Sequence, residues 1–301
     1  MTEPAPPRRS ALYVPGNNSR ALGKAATLAA DVFILDLEDA VGDDVKTESR
    51  ERVIDVVRTG VLAPREVVVR INGVGTPWHN PDVVAVSGSG ADAILVPKVE
   101  SADQVRMLVD SMVAAGAPAR TKLWVMVETP RAFLHAEEIA TASDRVEVLV
   151  IGTNDLVNDL RARAVSGRGP VLTALSLAVL GARSAGKVIL DGVFNKIGDD
   201  AGFASEARQG REMGFDGKTV VHPSQIGPAN DTFGPSTDEI SHARAVVSAF
   251  DEARTAGKSV ATLDGTMIEA LHVRDAQRIL DLAGRIDSRS QVATTNGSTH
   301  G

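Results

Sequence analysis

The sequence predicts an α/β fold, a (β/α)8 TIM barrel with a C-terminal helical extension. Eight times between Ser10 and Pro223, a short apolar stretch runs into a polar or charged tip and then into a helix-like segment. Six of these stretches are almost continuously apolar, which is typical of parallel strands that lie under helices. The fifth and sixth tips carry the carboxylates Glu128 and Asp155. Functional groups at strand ends are characteristic of a barrel whose site lies on its C-terminal face.

The strands and helices of this barrel follow from the order of apolar and helix-forming stretches. The predicted strands cover residues 10–15, 32–38, 66–72, 93–99, 122–128, 146–152, 188–193 and 218–222. Stretches rich in Ala, Leu, Glu and Arg predict helices between them, among them 101–115, 131–142, 170–185 and 200–213. One barrel domain that carries the site is therefore expected over residues 1–230.

The remainder of the chain predicts a helical extension over residues 231–285. A polar linker, IGPANDTFGPSTDE, precedes a long helix from about Thr237, where STDE is typical of an N-cap followed by acidic first-turn residues. Another segment with helical apolar periodicity covers about 266–285. A closed barrel does not need these pieces, so we expect them to pack on the barrel or on a neighbouring subunit. Residues 286–301 are polar and predict a disordered tail.

Composition excludes several classes of function. The 301 residues include no cysteine, which excludes disulfides, thiolate catalysis and cysteine-built metal sites. A net charge of -7 and an aromatic content of 3% argue against nucleic-acid binding, which needs a basic face and stacking side chains. The sequence has neither an apolar run that could span a membrane nor a signal-like N-terminus. We therefore expect a cytoplasmic protein with no membrane partner.

Carboxylates at two neighbouring strand ends predict a divalent-metal site. Glu128 ends the fifth apolar stretch and Asp155 follows the sixth. Two oxygen ligands with open positions suit Mg²⁺, which usually retains waters and accepts oxygens of the substrate. The alternative is that each carboxylate caps the helix that follows it, because Glu128-Thr129-Pro130 and Thr153-Asn154-Asp155 could both start helices.

Charges of both signs follow three further strands. LDLEDAV carries Asp36, Glu38 and Asp39, VVRIN carries Arg70, and VPKVE carries Lys98. An acidic cluster that faces an arginine and a lysine can hold metal-bound water and bind an anionic substrate. Structural salt bridges are the alternative for this cluster. A Schiff base formed by a desolvated Lys98 is the alternative chemistry.

Eight motifs follow one another along nearly the whole chain. They are RRSALYVPGN (8–17), FILDLEDAV (33–41), REVVVRIN (65–72), ILVPKVES (94–101), VMVETPRA (125–132), IGTNDL (151–156), GFDGKTVVHPSQI (214–226) and DGTMIEALHVRDAQRIL (264–280). In this order they resemble the citrate lyase beta-subunit-like branch of the HpcH/HpaI aldolase superfamily, which includes malyl-CoA and citramalyl-CoA lyases.

The resemblance implies a Mg²⁺-dependent lyase that breaks or forms a carbon–carbon bond beside a thioester. Its substrate is then a short 3-hydroxyacyl-CoA such as malyl-CoA or citramalyl-CoA, and its products are acetyl-CoA and an α-keto acid. Residues matching Glu128 and Asp155 hold the metal in such enzymes, and the residue matching Arg70 contacts the substrate. Asp36 is expected to position metal-bound water, and Glu128 also to contact the substrate.

The same resemblance implies further contacts with the acyl-CoA. The loop with Tyr13, Pro15 and Gly16 is expected to lie near the acyl or coenzyme A portion. Apart from the resemblance, the charge of Lys98 at its strand end predicts that this residue binds the anionic substrate. In such enzymes a carboxylate from the adjacent protomer closes the site, and the matching residue here is Glu269. A homotrimer or a hexamer is therefore expected, and Glu269 would exchange a proton with the enolate carbon.

Two departures from the family pattern leave alternative activities open. The family commonly has a Glu-Asp pair where this chain has Asn154-Asp155, and commonly has Asp where this chain has Glu269. Both changes predict an altered substrate or a lower lyase activity. The alternatives are an aldolase or thioester hydrolase that uses the same metal site, and a citryl thioester lyase beta subunit that acts on an acyl-carrier protein.

His222 and Asp191 also lie near strand ends but are given less weight. His222 could contact coenzyme A or act as a base, but a histidine before a proline at a strand end is more often held structurally. Glycine pairs at 73–75 and 88–90 are not followed by a dinucleotide fingerprint, so NAD binding is unsupported.

Overall fold

Eight parallel strands close into a barrel, which confirms the predicted (β/α)8 fold. The structure is a computed structural model that describes residues 6–297, and side chains from residue 6 to residue 289. The strands lie in chain order around the barrel, and the first pairs with the eighth through Ser10–Leu12 and Lys218–Val220. Strands in this order all direct their C-terminal ends to one rim of the barrel.

The observed strands are shorter than the predicted ones at their C-terminal ends. They are β1 Ser10–Pro15, β2 Val32–Asp36, β3 Glu66–Arg70, β4 Ala93–Val96, β5 Lys122–Val127, β6 Val146–Ile151, β7 Val188–Asp191 and β8 Gly217–Val220. Prediction extended most of them by one to three residues because the apolar run continues into the tip. After β4, for example, Pro97 has no backbone N–H with which to continue the ladder.

Helices follow the strands and cover the outside of the barrel. They are α1 Ser19–Ala25, α2 Lys46–Thr59, α3 His79–Ser87, α4 Ala102–Ala114, α5 Pro130–Leu134, α6 Ala136–Thr141, α7 Thr153–Asp159, α8 Leu172–Ser184 and α9 Asp200–Met213. The single helix predicted over 131–142 is two helices that meet at His135. The helix predicted from 170 begins at Leu172, after a 3-10 segment in which Arg168 has a φ of 56°.

The interior of the barrel is closed at its N-terminal end by a base cluster of Arg8, Glu66, Glu147 and Trp124. Arg8 makes two bonds of 2.7 Å to the Glu66 carboxylate and lies 3.2 Å from Glu147. Its guanidinium carbon lies 5.2 Å from the centre of the fully buried Trp124 ring, which packs in the barrel core. The base cluster seals the end of the barrel opposite the predicted site.

The chain divides into two compact units, residues 8–230 and residues 1–7 with 231–301. The polar linker predicted over 226–239 is wrong in part, because Ile226–Phe233 forms helix α10. The apolar side chains of Ile226, Ala229 and Phe233 recur at helical spacing and are buried. Pro228 is tolerated because it lies in the first turn, where backbone N–H groups have no helical partner.

The C-terminal unit contains two long helices and a short hairpin. They are α11 Thr237–Thr255, β9 Ala261–Leu263, β10 Thr266–Ile268 and α12 Ala270–Gly297. The predicted start of α11 is confirmed, with a capping box between Ser236 and Glu239. Helix α12 extends through most of the predicted disordered tail, and residues 298–301 lie outside the described residues. None of the described helices is long and apolar enough to cross a membrane.

Candidate active site

Asp36 and Arg70 form a bidentate ion pair at the rim of the barrel. They are register partners at the ends of β2 and β3, so their backbones are adjacent. Arg70 donates from Nε and Nη2 to the two Asp36 carboxylate oxygens, each at 2.7 Å. The same carboxylate accepts the backbone N–H of Glu38 at 2.9 Å and of Ala40 at 3.2 Å. Asp36 therefore orients Arg70 and fixes the loop after β2, rather than pointing freely into solvent.

The third nitrogen of Arg70 faces two more carboxylates. Its Nη1 lies 2.8 Å from Glu38 Oε2 and 3.5 Å from Asp39 Oδ2. The guanidinium carbon lies 4.9 Å from the centre of the Tyr13 ring, a cation–π contact that supports it from β1. Burial raises the pKa of Tyr13, although the charge of Arg70 acts in the opposite direction. Tyr13 is thus a neutral platform for Arg70.

Lys98 has a backbone conformation that is unusual for a residue with a side chain. Its φ is 55°, in the left-handed region. In this conformation its backbone N–H donates to Glu128 Oε1 at 2.8 Å. Its ammonium lies 3.7 Å from Glu38 Oε1 and 3.8 Å from Asp155 Oδ1. Lys98 therefore contacts three of the carboxylates at the rim.

The charge state of Lys98 is unfavourable for Schiff-base chemistry. Burial acts to lower its pKa, but the surrounding carboxylates, Glu38 first, raise that pKa above its ordinary value. A Schiff base requires a neutral amine as the nucleophile. The site therefore favours Lys98 as a cation.

Glu128 is buried against the backbone of β6. Only 2% of its surface is exposed. A Cβ at Gly152 would lie 2.4 Å from both Glu128 Cβ and Oε2, so only glycine leaves room for this carboxylate. Burial, followed by the charges of Asp155 and Glu38, raises the pKa of Glu128 to about 7. Burial also raises the pKa of Glu38 to about 7, opposed by Arg70.

Neither carboxylate at the predicted metal site is a helix cap. Helix α5 is capped by Thr129, whose hydroxyl accepts the N–H of Ala132. Asp155 lies in the first turn of α7, whose N-cap is Gly152 and lacks a side-chain cap bond. Capping therefore does not explain either Glu128 or Asp155, and the alternative interpretation of the sequence fails for both.

Together these side chains form a rim cluster with excess negative charge. Its members are Asp36, Glu38, Asp39, Arg70, Lys98, Glu128 and Asp155. The five carboxylates face two cations, so the cluster can accept a divalent cation. Within the described residues, no three His, Cys, Asp or Glu side chains are arranged to hold a metal. Two carboxylates that leave positions for water and substrate fit Mg²⁺ better than a closed transition-metal site.

A cleft of about 460 Å³ adjoins the rim cluster. It is lined by residues that include Glu38, Asp39, Asn72, Trp78 and Lys98. Clefts of this size accommodate small molecules. The cleft gives the rim cluster a place in which an organic anion could meet its charged groups.

Pro15 and Gly16 support the rim from the end of β1. Gly16 is buried, and its N–H donates to the backbone oxygen of Asp36 at 2.8 Å. A Cβ at Gly16 would lie 2.8 Å from that oxygen. Pro15, the last residue of β1, pairs in register with Asp36. These two residues therefore hold β1 closely against β2 at the rim, and contact with an acyl-CoA stays a prediction.

Glu269 does not belong to the barrel unit that contains the rim cluster. It lies in the C-terminal unit, immediately before α12, and its backbone N–H donates to His272 Nδ1 at 3.0 Å. Its predicted role in an adjacent protomer's site stays a prediction.

Asp191 and His222 have structural partners. Asp191 is fully buried and bonds to Arg168 at 2.6 Å and to Lys218 at 3.0 Å. His222 caps the 3-10 turn at Pro223–Gln225, with Nδ1 2.9 Å from Ser224 Oγ. Both arrangements agree with the lower functional weight given to these residues.

Sequence reasoning missed three features of this site. They are the left-handed backbone of Lys98, the stacking of Arg70 on Tyr13, and the need for glycine at 152. The first two depend on contacts between separate strands, which carry no local signal. The glycine at the end of β6 was a usable signal, because a glycine there indicates close approach of another group.

Comparison with known proteins finds a matching family model and relatives that act on malyl-CoA, as their names state. A family model described as HpcH/HpaI aldolase/citrate lyase matches residues 9–223. The chain is 43% identical to a (3S)-malyl-CoA thioesterase of Cereibacter sphaeroides (strain ATCC 17025 / ATH 2.4.3), over 95% of this chain and 98% of that protein. It is 32% identical to an L-malyl-CoA/beta-methylmalyl-CoA lyase of the same strain, over 95% and 97%.

The solved structures agree with these sequence relatives. The protein CitE from Mycobacterium tuberculosis, in complex with magnesium, acetoacetate and coenzyme A, matches with a TM-score of 0.76 and 32% identity. That match covers 93% of this chain and 99% of the CitE chain.

Proposed function

The chain belongs to the HpcH/HpaI aldolase/citrate lyase family, as the motifs predicted, and from this premise we propose a Mg²⁺-dependent carbon–carbon lyase. Its proposed substrate is a short 3-hydroxyacyl-CoA such as malyl-CoA or citramalyl-CoA. The enzyme would cleave this thioester to acetyl-CoA and an α-keto acid, or form it in the reverse direction. Relatives that are similar over their whole length and act on malyl-CoA support this substrate class.

The observation that carries the proposal is the pairing of Glu128 and Asp155 beside Arg70 and Lys98. We propose that the two carboxylates hold Mg²⁺, which when bound supplies Lewis-acid polarisation of substrate oxygens. The charge of Asp155 contributes to the raised pKa of Glu128, so a divalent cation would relieve their repulsion. Relatives crystallised with magnesium support the same choice of metal.

We assign the steps of the reaction to side chains of the rim cluster and to Glu269, the predicted proton donor. In malyl-CoA the hydroxyl proton passes to water, the bond between C2 and C3 of the malyl group breaks, and glyoxylate forms. The electron pair of that bond becomes the enolate of the acetyl thioester. Arg70, held by Asp36, would stabilise the developing oxygen charge, and Glu269 of a neighbouring protomer would protonate the enolate carbon.

Thioester hydrolysis is the second candidate, because relatives at 43% identity are named malyl-CoA thioesterases. In this reaction the C–S bond of the thioester breaks, and water supplies the hydroxyl to the acid and the proton to the thiol. The two activities give different products from malyl-CoA: acetyl-CoA and glyoxylate from cleavage, or malate and free CoA from hydrolysis. A carrier-protein substrate is the third alternative, since the family includes citrate lyase beta subunits.

Product analysis separates these reactions. Malyl-CoA and citramalyl-CoA are incubated with the enzyme in Mg²⁺ or EDTA, and acetyl-CoA, free CoA and keto acid are quantified. We expect metal-dependent acetyl-CoA, lost in Asp155→Ala and kept in the control Asp103→Ala, whose carboxylate is 92% exposed on α4. Release of free CoA without keto acid would replace the lyase by the thioesterase. Activity unchanged in Asp155→Ala would contradict the metal site.

We also propose that the active form is a homotrimer or a hexamer, with residues 231–285 contributing to the neighbouring site. The separate C-terminal unit, with Glu269 beside α12, supports this arrangement. Mixing inactive Arg70→Met and Glu269→Gln proteins tests it. Recovery of activity in the mixture would show shared sites, and no recovery after subunit exchange would contradict them.

A further inference from the structure

We propose that Lys98 is the exchangeable counter-cation of the rim cluster. Its ammonium competes with the divalent cation for Asp155, and cation binding releases it to hold the anionic end of a substrate. The inference rests on the proposed function, because it takes Glu128 and Asp155 as the metal ligands.

The backbone of Lys98 is fixed while its side chain is not. The N–H bond to Glu128 Oε1 and the left-handed φ of 55° hold the backbone beside one proposed ligand. The side chain is 50% exposed and places its ammonium 3.8 Å from Asp155, the other proposed ligand. A flexible four-carbon chain on a fixed backbone can move its charge by several ångströms without disturbing Glu128.

The net charge of the rim cluster changes when a divalent cation binds, and this change would move the ammonium of Lys98. With all groups ionised, the rim cluster has five carboxylates against Arg70 and Lys98, a net charge of -3. A divalent cation between Glu128 and Asp155 would bring this to -1 and would repel an ammonium at Asp155. The ammonium would then be attracted mainly by Glu38 Oε1, 3.7 Å away on the side of the cleft.

The other lysine of the cleft is unsuited to this exchange. The ammonium of Lys46 donates to the backbone oxygens of Leu37 and Glu38, both at 3.0 Å. Lys46 is 6% exposed, so its charge is held in place. Lys98 is therefore the lysine of this cleft that can respond to a ligand.

The exchange couples two ligands. A cation that displaces the ammonium makes it available to an anion in the cleft, so cation and anion should strengthen each other's binding. Such coupling is reciprocal, because the same free energy links the two binding events.

Titration with Mn²⁺ alone, followed by electron paramagnetic resonance on the full chain, tests the competition. We expect Lys98→Met to bind Mn²⁺ about three- to tenfold more tightly than wild type, as loss of a partly screened charge predicts. Methionine keeps the backbone donor and a similar length. Lys98→Arg should stay near wild type, and the control Lys196→Met, on the exposed loop after β7, should not change. At 0.5 M NaCl the gain should shrink.

A second titration tests the release of the ammonium. With Mn²⁺ saturating, Lys98→Met should bind acetoacetate several-fold more weakly than wild type. Equal or weaker Mn²⁺ binding by Lys98→Met would overturn the inference, as would unchanged acetoacetate affinity. If Asp155→Ala binds Mn²⁺ as wild type does, the metal site itself fails. If Asp155→Ala loses Mn²⁺ but Lys98→Met gains nothing, the inference alone fails.

Discussion

The two ends of the barrel each contain an arginine that pairs with a carboxylate and stacks on an aromatic ring, but the surroundings of the two arginines differ. At the base cluster Arg8 makes a bidentate pair with Glu66 and stacks on Trp124, and at the rim cluster Arg70 does so with Asp36 and Tyr13. The base cluster adds Glu147, whereas the rim cluster adds four carboxylates and a half-exposed lysine. Closure of the base therefore involves one buried bidentate ion pair, whereas the rim has a surplus of negative charge that the proposed function assigns to metal and substrate binding.

Removing the cation of the base cluster should produce the largest loss of stability. Arg8→Met leaves Glu66, 8% exposed, without its bidentate partner, and breaking one partner of a buried pair costs roughly 3–5 kcal/mol. Urea unfolding measures this loss, and turnover per folded molecule should stay unchanged. The control Arg106→Met, from an exposed pair with Asp103, should lie within error of wild type. A loss under about 1 kcal/mol would remove the structural role given to the base cluster.

A methyl group at position 152 should damage the rim cluster specifically. Gly152→Ala places its Cβ 2.4 Å from the Glu128 carboxylate, which must move. Displacement of a proposed metal ligand by about 1 Å should lower turnover by roughly a hundredfold. The matched control is Gly23→Ala in α1, where the methyl meets open space. Normal Mn²⁺ affinity and turnover in Gly152→Ala would show that Glu128 need not be held there.

Glu128 should make the folded protein less stable at high pH. Its pKa is raised from 4.5 to about 7, so its protonated form favours the fold below about pH 4.5, and this contribution is lost as the pH rises through 7. In EDTA at pH 8, Glu128→Gln should therefore be more stable than wild type by roughly 2 kcal/mol.

The difference between Glu128→Gln and wild type should disappear near pH 4.5, as followed by urea unfolding across the pH range. The exposed Glu51→Gln serves as the control. A Glu128→Gln protein that is less stable than wild type at pH 8 would contradict the raised pKa of Glu128.

The smallest expected effect is at Tyr13. Tyr13→Leu keeps an apolar side chain beneath Arg70 but loses the cation–π contact, which is worth about 1 kcal/mol. We expect a comparable loss in urea unfolding and a several-fold lower turnover, because Arg70 is less firmly oriented. Tyr13→Phe is the control and should retain both properties. Equal stability and turnover of Tyr13→Leu and Tyr13→Phe would show that the ring contributes apolar packing and no cation–π contact.

Much of the fold could be predicted from the sequence because parallel strands under helices leave a local signal. The apolar runs gave the eight strands and their order, and the STDE motif gave the start of α11. The ends of strands and the helix α10 were misjudged, since apolarity continues past the last paired residue and Gly and Pro dominate the IGPANDTF segment.

The candidate site was only partly predictable. Glu128, Asp155, Asp36 and Arg70 could be found because each follows or ends an apolar run. Their partners could not, because the bond from Lys98 to Glu128 joins residues 30 positions apart. Burial and charge around Glu128 also depend on several strands at once, so its raised pKa leaves no trace in the local sequence.

The hydrogen-bonded ladder of the barrel ends before three charged residues of the rim cluster. Glu38, Lys98 and Glu128 lie just beyond the last paired residues of β2, β4 and β5. A substitution at these positions breaks no strand pairing, so natural selection can exchange these side chains while the fold is inherited unchanged. Side chains at the rim can therefore change during evolution with little loss of fold stability. This agrees with a family whose members are named as lyases and as thioesterases.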